Sequence, residues 1–209
     1  VVKAPAEQAY VALAFRVPAL QDLTQPTATD RDALALVVLS AVLSGYDGAR
    51  LERALTQGTD RIADNASSSA SVMGRGPAQF FLSGVPAQGQ SAQALEDGLR
   101  AELARVATEG VSAAELERVK TQWVASTVYQ RDSLYSRASD LGSNWVQGLP
   151  LDAEDRMLAL LREVTPEQVQ SVAERYFGDD QLTVGTLVPQ PLDSKAARRK
   201  PSGVVPTRH

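Results

Sequence analysis

The sequence predicts an α+β domain, a mainly antiparallel sheet with helices packed on one face. Two observations lead there. Period-2 alternation marks strands near the start, middle and end of the chain, and apolar stripes of helical period fill the segments between. The resulting order is strand, two helices, two strands, several helices, strand, and no linker divides it into two domains.

Residues 1–9 read as an N-terminal linker, residues 10–190 as the domain, and residues 191–209, rich in Pro and basic groups, as a disordered tail. Val11, Leu13, Phe15 and Val17 alternate with Ala12, Ala14 and Arg16 in a strand stopped by Pro18. Thr29 and Asp32 fit an N-terminal cap for a helix through ALALVVLSAVL. That helix is apolar almost all round, so it belongs at the centre of the core, and Gly45 ends it. A second helix, about 49–56, places Leu51 and Leu55 on one side. From Ile62 the pattern is that of a strand. Asn65, Ser67, Ser69 and Ser71 share one face and Ala66, Ala70 and Val72 the other. GRGP turns the chain into AQFFLSGV, so 62–85 reads as an antiparallel hairpin.

Ser91 caps a helix striped by Leu95, Leu99, Leu103 and Val106, which Gly110 stops. Ser112 and Glu115 form a capping box for the next helix, whose apolar side carries Leu116, Val119, Trp123 and Val128. Two further helices cover about 133–147 and 151–163. Thr165, Pro166 and Gln168 start another that Gly178 ends, and Gln181 to Val188 is a last strand closed by Pro189.

Composition bounds the chemistry. With 209 residues, 44% hydrophobic and 22% charged, the chain resembles an ordinary soluble globular domain. Its net charge of −4 gives no reason to expect a nucleic-acid partner. No apolar run approaches the ~20 residues of a membrane span. No cysteine is present, so there is no disulfide framework and the compartment stays open. The first residue is Val1, with neither methionine nor signal-peptide pattern, so a processed or truncated piece of a longer chain is expected.

The only histidine is His209, which leaves no zinc-binding helix and no Ser-His or Cys-His nucleophile in this piece. GYDGAR lacks the spacing and the G-K-[ST] ending of a phosphate loop. No G-x-S-x-G elbow occurs, and no lysine lies between Lys3 and Lys120 to serve a Ser-Lys pair. Glu109, Glu115 and Glu117 read as solvated helix or turn positions. The serine run over 65–71 reads either as a solvent-facing surface or as a smooth polar wall along which an extended peptide lies.

Three strings carry a resemblance, in order and over about residues 10–190. GARLERAL is similar to the helix after the long buried one in the insulinase/pitrilysin-like zinc metallopeptidases, the family that includes the mitochondrial processing peptidase. ATEGVSAAELERVKTQWVAST with the following RDS resembles that family's "egvt…ELera" segment. VTPEQVQSVAERYFGDDQLTVGTLVPQP looks like its closing helix, strand and Pro stop. The resemblance is to the family's C-terminal, inactive-peptidase-like repeat, and it implies a twisted antiparallel sheet and assembly of two or more such domains into a clam-shaped chamber. It also implies a zinc ion in an N-terminal half that this sequence lacks, and no cofactor in the present piece. Some C-terminal domains of the family lend an Arg-x6-Tyr pair that steadies the substrate carbonyl, a donor role near the scissile bond. Aligned on Arg50, Leu51 and Leu55, those positions hold Thr56 and Ala63, and Arg61 has no tyrosine at that spacing.

The expectation is therefore a non-catalytic C-terminal domain of a zinc metalloendopeptidase that supplies chamber wall and partner interface. Ser67, Ser69, Thr56 and Ala63 would face the substrate. Its partners would be its own N-terminal catalytic domain, a homologous subunit or second copy, and a peptide or protein substrate. The alternative is a domain of a catalytically inactive structural or assembly subunit of the same family. The family accommodates a periplasmic or envelope location in bacteria and a mitochondrial one in eukaryotes.

Overall fold

The structure, a computed structural model, describes residues 1–74, 76–130 and 133–192, with side chains throughout except at 127–130. Of the expected tail, residues 193–209 lie outside the described residues, as does the side chain of Val128. In chain order the elements are β1 (Val2–Pro5), β2 (Tyr10–Arg16), α1 (Ala28–Ser44), a π-helical turn (Glu52–Thr56), β3 (Ala63–Ser71) and β4 (Gln79–Pro86). They continue with α2 (Ala92–Glu109), α3 (Ala113–Gln130), α4 (Leu134–Gln147), α5 (Ala153–Glu163), α6 (Pro166–Arg175) and β5 (Leu182–Gln190).

The five strands form one mixed sheet in the order β1-β5-β2-β4-β3. All described pairings are antiparallel except that of β1 with β5. The alternation read in β2 is real. Val11, Leu13 and Phe15 are at most 1% exposed beneath the helices, while Ala12 and Ala14 look out from the other face. Phe80 and Leu82 of β4 extend the buried face, and the rings of Phe15 and Phe80 each stand edge-on to Phe177 at 4.9 Å. Helix α1 is buried on several sides, as an all-apolar helix must be, with Leu36, Val38, Leu39, Val42 and Leu43 fully out of solvent. Helix α2 presents Leu95, Leu99, Leu103 and Val106 to the core, and α3 presents Leu116 and Val119.

Four expectations change. The linker at 1–9 contains β1, whose Val2 to Pro5 pair in parallel with Leu187 to Gln190 of β5. Four residues are too few to show an alternation, and the strand exists only through a partner at the far end of the chain. Pro189 does not close β5. The ladder from β2 has ended at Leu187, so a residue without an N–H is tolerated beyond it. The cap of α1 is Thr27 with Asp30 rather than Thr29 with Asp32. Asp30, 2% exposed, also accepts from the N–H groups of Gln21 (2.6 Å) and Asp22 (3.3 Å), so the preceding loop folds over the cap. Finally, α6 ends at Arg175, before Gly178, where Arg175 and Tyr176 both turn to Asp32 of α1.

Candidate functional site

The serine run sits on β3, the last strand of the sheet, and its side chains serve two faces. Ser67 and Ser69 lie on the face that α1 and α2 leave open. Ser67 stands opposite Ser83 of β4 with the hydroxyls 3.1 Å apart, and Ser69, exposed, stands opposite Phe81. Ser68 points the other way. Its hydroxyl donates to the carbonyl of Ser40 at 2.8 Å, locking β3 onto α1. Parity carried this signal, since Ser68 shares a face with Ala66 and Ala70.

The backbone of Ser68 shows which groups form the free rim of the sheet. Its N–H donates to Ser44 Oγ at 2.9 Å, and the same hydroxyl lies 3.3 Å from its carbonyl oxygen. Both groups thus face away from β4. By the period of two, the backbone of Ala66 and Ala70 faces the same rim. Ser44, the last residue of α1, therefore closes the middle of an edge that would otherwise be open to another strand.

Thr56 and Ala63 lie in neighbouring segments, joined by the Ile62 N–H to the Leu55 carbonyl at 3.0 Å, but in different surroundings. Thr56 ends the π-helical turn, its hydroxyl donates to the carbonyl of Glu52 at 2.9 Å, and it borders an open cleft of about 440 Å³. The cleft is further lined by Ser44, Tyr46, Asp47, Glu52, Asp64 and Asn65. Ala63 is fully buried in the core at the start of β3, so it backs the wall and cannot face a substrate. Two acids of the cleft already have partners. Glu52 accepts from the N–H of Gly48 at 2.6 Å, and Asp64 pairs with Arg61 at 3.0 Å.

On the other side of the π-helical turn lies a second charged group that the sequence did not announce as one. Arg50, from the GARLERAL string, donates to both carboxylate oxygens of Glu115 at 2.8 and 2.9 Å and to the carbonyl of Gly110 at 2.9 Å. Glu115 also accepts from the N–H and hydroxyl of Ser112, closing its capping box. The Arg50 bonds above all, aided by those from Ser112, hold the Glu115 carboxyl down to about 2. Glu115 is therefore a bridge between segments rather than a solvated helix position. Glu102 of α2 is 3% exposed and pairs with Arg105 at 2.9 Å, and burial pushes its carboxyl above the ordinary range. The legible sign was a charged residue at a core position of the Leu95–Val106 stripe.

This arrangement can hold segments together and present a smooth polar surface. Among the described residues no three or more His, Cys, Asp or Glu side chains gather into a metal-holding group. In the Arg50 cluster, Arg50 pairs with Glu115 and Arg105 with Glu102, and Arg53 approaches the same Glu115 at 3.6 Å. No described helix is long and apolar enough to cross a membrane.

The model of a family described as peptidase M16 inactive domain matches residues 1–123. No curated protein sequence matches the chain. Among solved structures, a protease from Helicobacter pylori is 23% identical with a TM-score of 0.78, over 90% of this chain and 43% of its own. The inactive peptidase domain of a candidate zinc protease from Bordetella parapertussis is 18% identical with a TM-score of 0.74, over 93% of this chain and 98% of its own. The periplasmic protease PqqL from Escherichia coli is 16% identical with a TM-score of 0.62, over 90% of this chain and 20% of its own. At these identities the likeness is one of fold. The chain spans less than half the length of the H. pylori protease.

Proposed function

Because the chain belongs to the peptidase M16 inactive domain family, we propose that it is the non-catalytic C-terminal domain of a zinc metalloendopeptidase of the mitochondrial-processing-peptidase type. In this reading the open sheet face forms part of the substrate chamber, and an N-terminal catalytic half of the same protein closes over it. The observation that carries the reading is the helix-free face itself. Ala12, Ala14, Ser67, Ser69 and Ser83 give it small side chains and hydroxyls around Phe81, which stands between Ala14 and Ser69, so an extended peptide would meet a largely small, polar surface with one aromatic ring to pack on. Thr56 sits at the rim of the cleft beside that face.

Zinc belongs to the other half in this proposal. The described residues offer it no ligand set, so no step of hydrolysis is assigned to this chain. The periplasmic relative supports an envelope location.

The test joins the chain to the zinc half of its own protein and follows cleavage of an unstructured peptide. Ser67→Leu with Ser69→Leu is expected to lower kcat/KM about tenfold, a loss of about 1.4 kcal/mol, with zinc content unchanged. Unchanged kinetics would return the face to plain solvent-exposed surface. No turnover with an intact zinc half would assign the protein to the family's structural subunits.

A further inference from the structure

The open face of the sheet is almost free of charge. Its paired rows through Ala12, Ala14 and Arg16 run across β2, β4 and β3, with β5 joining the first two. Besides Arg16 those rows hold only Ala, Gly, Ser, Thr, Gln and Phe. Arg16 is exposed at the end of β2, and its guanidinium has no ion-pair partner among the described residues. It borders a cleft of about 730 Å³ with Ala14, Pro77, Gln79, Asp180 and Thr183. Asp180, the other described charge of that cleft, accepts from the side-chain amide of Gln181 at 3.0 Å. The single aromatic ring of these rows, half-buried Phe81, stands between Ala14 and Ser69.

We infer that Arg16 and Phe81 together read the substrate, an extended peptide that carries an acidic side chain two residues from an apolar one. This rests on the reading of the open face as chamber wall, and names the peptides that the wall takes. Spacing is the first argument. Phe81 pairs with Ala14, and Arg16 lies two residues further along β2 on the same face. Diagonal neighbours on paired strands are about 7–8 Å apart. Side chains two apart in an extended peptide point the same way at a separation of about 7 Å. One peptide strand therefore meets the ring and the guanidinium with successive side chains of its inner face.

Charge is the second argument. A guanidinium drawn under a covering catalytic half loses water, and that is costly unless an anion meets it. The paired rows supply no anion. A carboxylate of the peptide does, and the planar guanidinium can hold both of its oxygens. The small Ala14 beside both groups lets the peptide come close enough for each contact.

The test uses the chain joined to its zinc half and three unstructured peptides that differ at five central positions. These read Asp-Ala-Leu-Ala-Asp, Lys-Ala-Leu-Ala-Lys and Ala-Asp-Leu-Asp-Ala, so either chain direction is covered. The first is expected to be preferred about tenfold over both others. The third fails because neighbouring side chains of an extended strand point to opposite sides. Arg16→Gln should remove the preference for Asp over Lys, and Arg16→Glu should turn it toward Lys. Phe81→Ala should weaken the gain from the central Leu over Gly while Asp remains preferred to Lys. The ratios are read as kcat/KM and, by fluorescence anisotropy, as dissociation constants, so a protein without turnover still answers. Equal handling of the three peptides, a preference indifferent to Arg16→Glu, or a gain from Leu indifferent to Phe81→Ala would each overturn the inference. A rate lowered by Ser67→Leu with Ser69→Leu, alongside a preference indifferent to Arg16, would overturn it and leave the chamber wall standing.

Discussion

Glu115 and Glu102 border the same charged cleft, yet burial and partners push them in opposite directions. Glu115 titrates at about 2 because Arg50 and Ser112 hold its charged form. A carboxyl lowered on folding stabilises the protein above its unfolded value, near 4.5, and that contribution is lost as pH falls toward 2. Glu115→Gln is thus expected to cost about 2 kcal/mol in urea unfolding at pH 7, and progressively less as pH falls from 4.5 toward 2. Glu102 runs the other way. Its carboxyl is raised by burial, so the stability it lends is present at low pH and lost as pH rises through the folded value. Glu102→Gln should leave stability at pH 7 unchanged or higher. Equal losses from both variants would show that the two glutamates act as one structural cluster. At this scale the sequence was partly legible. Ser112 and Glu115 announced their capping box because its signal is local. Arg50 could not announce its partner, since the two are brought together only by the turn between α2 and α3.

The junction of α1 with β3 shows what an element contributes beyond its own ladder. The hydroxyl of Ser44 supplies the hydrogen bonds that a neighbouring strand would otherwise make with Ser68, at the middle of a nine-residue edge. Ser44→Ala is expected to lower stability by about 1 kcal/mol and to make the chain more prone to strand-mediated aggregation, read by thioflavin fluorescence on prolonged incubation. An unchanged lag time would mean that the small side chains alone protect the edge. The hairpin of β3 and β4 and the leucine stripe of α2 were readable because period and turn residues lie within one short window. The cap of α1 was misplaced by two residues because Thr27 and Thr29 offer the same spacing to an aspartate. Only the loop folding over Asp30 decides between them. The open and covered faces of the serine run were legible from alternation, but not the full burial of Ala63, which sits just before the register shift that opens β3.

For the molecule as a whole, the order of elements sufficed for the α+β class and for one layer of helices over one sheet, since each long segment carries its own period. The five-stranded arrangement, with β1 outside β5, was not legible. β1 has no pattern of its own, and its pairing is a property of the closed fold. That pairing has a kinetic consequence. Joining Val2 to Leu187 closes nearly the whole chain into one loop, so the entropy of closure delays this contact until the rest of the sheet exists. The strand also lies at an edge, with Val2 61% exposed, and little apolar burial holds it down once formed. The first strand in sequence is therefore expected to be the last to fold and the first to open. In native-state hydrogen exchange, protected amides of β1 should exchange ahead of those of β2 and β4 by local opening. Simultaneous exchange of all three strands would instead make β1 part of the single cooperative unit.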